Sequence, residues 1–192
     1  MAHIKDPKGK TEGGAVGPSP AKGIMVAVGR FIKPHGVQGE LKLIPFFEEV
    51  IRGLVGEPIE ASTEDGSSPP LRFTIKSIRG AGVSLIVKLS GLDSPESAGA
   101  LKNTLMRVER SRMPDLDDGY YYFEEIIGLP VFDVAGNSIG KLVSFFPAGE
   151  RDVWVIKPPK GEDILLPCIP ETIVSVDVKN GKIIVKPMET VE

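Results

Sequence analysis

Few side chains in this sequence come in the combinations that catalysis needs. His35 is one of two histidines and the other, His3, lies close to the start of the chain. A histidine acting as general base needs a nucleophile or a second acid–base group at a defined spacing, and no serine, cysteine or paired carboxylate is tied to His35 in that way. A fixed loop histidine that hydrogen-bonds or meets an anionic partner is the better reading. Cys168 is the single cysteine. It lies between Pro167 and Ile169 and reads as a small apolar residue rather than a nucleophile; alone, it excludes an intrachain disulfide and a thiolate metal cage. The acidic pairs Glu48-Glu49, Glu124-Glu125 and Glu162-Asp163 are adjacent in sequence, so on strands their side chains diverge and face solvent. Gly80-Ala81-Gly82 lacks the third glycine of a dinucleotide loop, with Leu85 in its place, and a strand pattern follows it. The residues therefore predict no enzyme, no cofactor and no bound metal.

What the sequence does offer is an array for binding. Over Val28 to Leu43, the run Val28-Gly29-Arg30-Phe31-Ile32-Lys33-Pro34-His35-Gly36-Val37-Gln38-Gly39-Glu40-Leu41-Lys42-Leu43 reads as strand, tight loop, strand. Pro34 fixes its own φ and restricts Lys33, while Gly36 and Gly39 can take positive φ. Pro34, Gly36 and Gly39 are thus expected to make the loop rigid, with Arg30, Lys33 and His35 as the presented groups. A second array is Tyr120-Tyr121-Tyr122-Phe123, which contains all three tyrosines of the chain. Successive strand residues face opposite ways, so at least one of these aromatics is expected to point away from a core as an amphipathic contact. Closing a core and making a contact are evenly balanced for the cluster on sequence alone.

The elements that must position these groups are mostly short strands. Leu71–Lys76 and Val83–Leu89 alternate around Gly80-Ala81-Gly82 and read as a hairpin. Phe46–Ile51 reads as a short helical segment. Asp93-Ser94-Pro95-Glu96 carries a cap, a first-turn proline and a dipole-matched acid, predicting a helix to about Asn103, after which Leu105–Glu109 resumes as a strand. Further strands are expected at 130–134, 138–146, 152–157, 163–166, 173–178 and 182–186, separated by turns such as Ala135-Gly136-Asn137 and Asn180-Gly181. Trp154, the sole tryptophan, is assigned to a core. The fold class is mainly β: two small antiparallel β-barrel domains with one or two short helices.

Composition divides the chain. Residues 1–22 hold four lysines, several Gly and Pro and few large apolar residues, and read as a disordered tail. Residues 23–110 form the first barrel. Residues 111–119 combine Pro, Gly and a switch from basic to acidic charge and serve as a linker, leaving 120–192 for the second barrel. From Asp118 to the end there are seven Lys and Arg against twelve Asp and Glu, within a chain of net charge −3. Such an acidic protein gains little from non-specific attraction to nucleic acid, so an RNA contact must be local or the partner must be a basic protein. No apolar run reaches the roughly 18 to 20 residues of a membrane span, and a single cysteine suits a reducing compartment, so a cytoplasmic protein without a membrane partner is expected.

The chain resembles the RimM family of ribosome maturation factors. The resemblance rests on Gly29-Arg30, Pro34-His35-Gly36 and Gly39-Glu40, on the Ala98- and Leu101-bearing helix, and on Tyr121-Tyr122-Phe123-Glu124-Glu125-Ile126-Ile127-Gly128-Leu129. Gly149-Glu150-Arg151-Asp152-Val153 and Leu165-Leu166-Pro167 extend it. Phe123 stands where the family usually has Trp, and Tyr120 falls outside the motif. The resemblance implies an N-terminal RimM barrel and a C-terminal barrel of the PRC type. A non-enzymatic monomer is expected, and the resemblance implies an assembly factor that binds the immature 30S subunit, assists 16S rRNA maturation near the subunit head and contacts the nineteenth small-subunit ribosomal protein. The resemblance tilts Tyr121, Tyr122 and Phe123 toward a contact role, and they join Arg30, Lys33 and His35, read from the loop itself, as the expected contact residues. Two other classes compete: a small barrel enzyme of flavin type, and a PRC-type scaffold acting away from ribosomes.

Overall fold

A computed structural model describes residues 3–5, 23–116, 120–149 and 151–186. In chain order the elements are β1 (His3–Lys5), β2 (Met25–His35), β3 (Glu40–Pro45), α1 (Glu48–Arg52), β4 (Pro58–Ser62), β5 (Leu71–Ala81), β6 (Ser84–Leu89), α2 (Pro95–Gly99), β7 (Leu105–Glu109), β8 (Tyr120–Tyr122), α3 (Phe123–Ile126), β9 (Pro130–Asp133), β10 (Ser138–Ala148), β11 (Arg151–Lys157), β12 (Ile164–Pro167), β13 (Ile173–Asp177) and β14 (Lys182–Val185). The fold is mainly β, as the alternation patterns predict. It divides into two compact units, one ending at Pro114 and the other running on from Asp115 and including His3–Lys5.

The first unit is a closed six-stranded barrel in the order β2-β3-β6-β5-β4-β7. Alternation supplies its interior: Val26, Val28, Phe31, Leu41, Leu43, Ile75, Leu85, Val87, Leu89 and Met106 are fully buried. Closure needs strands that bend, and β2 shifts register between Ala27 and Gly29 and again between Phe31 and Lys33, as bulges do. The helix predicted to run to about Asn103 ends at Gly99. Its start is as expected, since Ser94 and Ser97 cap one another through reciprocal 3.2 Å bonds between backbone N–H and side-chain oxygen. Beyond Gly99 the chain continues in tight turns to Asn103, at φ +64°, whose N–H bonds Phe31 O at 2.8 Å. Residues 110–112 form one turn of 3₁₀ helix. That turn belongs to the first unit: Arg110 and Met113 are buried, and Arg112 pairs with Glu57 at 2.7 Å.

The second unit is a six-stranded sheet in the order β12-β11-β10-β9-β14-β13, plus a two-stranded ribbon in which β1 pairs with β8. Strand pairing at His3–Lys5 departs from the unordered tail expected over 1–22; the other tail residues lie outside those described. The sheet also departs from a purely antiparallel barrel, because β14 runs parallel to β9. A meander of four strands ends at β12, and the β13–β14 hairpin then enters at the opposite edge, which sets β14 in the same direction as β9. Only five residues, 168–172, join the two edge strands. Six flat strands would put those edges about 24 Å apart, more than about 22 Å of fully extended chain from Pro167 to Ile173, so the sheet must curl. Thr172 fixes that crossing. It is fully buried, and its hydroxyl donates to Ile169 O at 3.1 Å and lies against Pro167 O. Trp154, Ile126, Val131, Leu142, Ile156 and Ile183 fill the interior, and Trp154 Nε1 finds no partner among the described residues. No helix of the described residues is long and apolar enough to cross a membrane.

Candidate functional site

The first array is a strand pair with a short turn. Sequence placed a loop over Lys33–Gly36, but β2 continues through His35 and the turn occupies Gly36–Gly39. Pro34 is tolerated in this strand because β2 has already left β7, with Arg30–Leu105 as their last paired residues. Gly36 and Gly39 both have positive φ, +64° and +68°. They differ in their surroundings. A Cβ on Gly36 would meet only Glu40 Oε2, at 3.6 Å, whereas one on Gly39 would lie 2.3 Å from Leu92 O and 2.9 Å from Ser94 N. The turn is therefore pinned against the segment that leads into α2. Gly29 is required for a similar reason, since a Cβ there would come within 2.9 Å of Ile44 O.

Register arranges the charges around this turn. Lys33 lies opposite Lys42 and His35 opposite Glu40; Lys42 in turn faces Ile86, and Ile86 faces Arg79. Arg79 binds Glu40 through two contacts of 2.5 and 3.2 Å. That guanidinium holds the Glu40 carboxyl below the usual carboxylate range. Lys88 is occupied with Gln38 O, Leu92 O and Asp93; its hydrogen bond to the Asp93 carboxylate holds that group low as well. Arg30, expected to be a presented group, is half-buried and ion-paired to Glu64 at 2.9 Å. Lys33 and His35 are exposed. Lys42, read from sequence only as the polar member of an alternating strand, joins Lys33 on the same outer face, and neither lysine has a hydrogen bond or ion pair among the described residues.

The aromatic array divides differently from the alternation argument. Tyr120–Tyr122 is a strand, but Phe123 opens α3, a short helix the sequence reading missed. The Glu125 carboxylate accepts the Tyr122 N–H at 3.1 Å and so caps this helix. The Tyr122 side chain is fully buried. Tyr121 and Phe123 are half-buried and pack against the core of the second unit. The Tyr121 hydroxyl donates to Val176 O at 3.2 Å, and the Phe123 ring meets Phe145 edge-on at 4.6 Å. Cys168 is half-buried beside the same core. Sequence reading also missed an apolar outer face on β10–β12. Phe146, Val153 and Pro167 align across the strands, as do Ser144, Val155 and Leu165. Phe146 and Leu165 are exposed. Their signal is the register itself, which no local pattern reveals.

No group of three or more His, Cys, Asp or Glu side chains among the described residues is placed to hold a metal ion. Residues 26–113 match the family model described as the RimM N-terminal domain, and residues 123–191 match the RimM PRC barrel domain. A curated protein from Rhodopseudomonas palustris is 34% identical over 84% of this chain and 89% of its own length. This chain belongs to the RimM family. That Rhodopseudomonas relative is named ribosome maturation factor RimM, as is one from Clostridium novyi, 34% identical over 85% of this chain and 96% of its own. A crystal structure of a 16S ribosomal RNA processing protein RimM from Pseudomonas aeruginosa aligns over 85% of this chain and 98% of its own, with 25% identity and a TM-score of 0.42. The RimM family models divide the chain where Met113 ends the buried part of the first unit and α3 begins.

Proposed function

We propose that this RimM-family chain is a ribosome maturation factor that binds the immature 30S subunit and assists 16S rRNA processing without catalysing a reaction itself. The observation that carries this reading is the identity to curated ribosome maturation factors along 84–85% of the chain, which spans both units. The protein acts as a cytoplasmic monomer of two domains, the first ending after Met113. Its role is to stabilise one folded arrangement of the RNA by mass action and then leave. The first domain approaches the particle with the outer face of the β2–β3 hairpin, through Lys33 and His35 with Arg30 beside them. The second domain is acidic and meets a basic partner, the nineteenth small-subunit ribosomal protein, through the half-buried Tyr121 and Phe123; Tyr122 holds them in place from the core. Sedimentation of a cell extract tests this. The protein should travel with immature small subunits and be absent from mature ones. Migration only with free protein would sink the reading, and a yellow, flavin-loaded preparation would favour the enzyme alternative.

A further inference from the structure

Lys33 and Lys42 are directly opposed across β2 and β3. Residues so paired have Cβ atoms about 5 Å apart on one face, and like charges there cost stability. Nearby cations are neutralised within the fold: Arg30 by Glu64, Arg79 by Glu40 and Lys88 by Asp93. Lys33 and Lys42 are left uncompensated among the described residues, on the barrel wall whose β2–β3 turn packs through Gly39 against Leu92. The same row continues through Ile86 to Arg79, a strip about 14 Å long over four strands. Another opposed lysine pair, Lys141 and Lys157 on β10 and β11, is placed differently. That pair belongs to the second unit, where from Asp118 onward twelve Asp and Glu stand against seven Lys and Arg.

We infer that Lys33 and Lys42 form a phosphodiester-binding strip that seats the first unit on the RNA backbone of the particle; this rests on the reading of the chain as a ribosome maturation factor. Lysine is depleted from the centres of protein–protein interfaces, where its desolvation is costly, but it is a standard partner of phosphate. A chain of net charge −3 gains little from its overall field, so the attraction must come from such a local pair. The two ammonium groups offer no fork of donors for base edges, and the Arg79 guanidinium at the end of the row is held by Glu40. The strip positions the protein on the RNA, and sequence selection falls to other contacts.

The test uses the full chain and protein-free 16S rRNA transcript with its precursor ends. Binding is followed across salt concentrations for the parent, a Lys33→Ala/Lys42→Ala variant and a charge-matched Lys141→Ala/Lys157→Ala control. Loss of two phosphate contacts should weaken binding about tenfold or more at 0.1 M salt and lower the slope of log K against log salt by about 1.4 to 1.8. The control should behave as the parent, and the Lys33/Lys42 variant should melt no lower than the parent. An unchanged slope, or an equal loss in the control, overturns the strip. A parent that ignores this RNA yet sediments with immature subunits also overturns it, in favour of a protein contact, and leaves the ribosome reading standing. A parent that does neither removes both.

Discussion

Gly39 lies so close to Leu92 that any side chain at residue 39 would overlap Leu92 O, with 2.3 Å between that oxygen and a would-be Cβ. The contact joins the β2–β3 turn to the segment before α2, and the other glycine of the turn makes no such approach. Gly36→Ala should therefore cost only the positive-φ penalty, about 1 kcal/mol, while Gly39→Ala should cost more than about 2 kcal/mol because backbone must also move. Chemical denaturation of both variants checks this; equal losses would mean that φ alone explains the turn.

Glu40 and Arg79 lie 39 residues apart in sequence and meet across β3, β6 and β5. The carboxyl is held below its ordinary value, chiefly by its hydrogen bond with Arg79. A carboxyl whose folded-state value is depressed contributes stability above its unfolded value, about 4.3, and that contribution is lost as pH falls through the folded one. Glu40→Gln should thus melt below the parent at pH 7, and the gap should close only as pH falls past the unfolded-state value and through the lower folded-state one. A constant gap across that range would show that the pair contributes by packing rather than by charge.

The aromatic cluster should separate under substitution. Tyr122→Ala removes a fully buried side chain and should lower stability by about 3 kcal/mol or more. Tyr121→Phe removes the bond to Val176 O and should cost about 1 kcal/mol. Binding to immature subunits should fall further than stability does in Tyr121→Ala and Phe123→Ala. If each loss of binding is matched by lost folding, the cluster is core throughout.

What was legible in the sequence was local. Ser94-Pro95 gave the helix start because a cap and a first-turn proline act within one turn, and Ala135-Gly136-Asn137 gave a turn that Asp133 indeed holds through the Asn137 amide and the Ala135 and Asn137 N–H groups. Whatever depended on register or distant partners was not legible. Arg30 appeared presented because Glu64, 34 residues away, does not announce itself as its partner. Lys42 became a neighbour of Lys33 only once β2 and β3 were aligned. Four aromatics in a row suggest a strand, and only the Glu125 cap shows why the chain turns into α3 at Phe123. The parallel pairing of β14 with β9 likewise follows from a crossover that no single segment encodes.

The boundary after Met113 can be tested by truncation. Arg110 Nη1 donates to Met113 O at 3.3 Å and both residues are buried. A fragment of residues 23–114 should unfold cooperatively, whereas 23–110 should lose about 2 kcal/mol or more through the missing methionine. Equal stability of the two fragments would place the end of the first domain earlier.

The most direct measurement is the affinity of the labelled full chain for purified immature and mature 30S subunits under one buffer and salt condition. A maturation factor that stabilises an unfinished particle and then leaves must bind the immature form at least about tenfold more tightly, a difference of about 1.4 kcal/mol. Equal affinity for both, or none for either, would contradict the account.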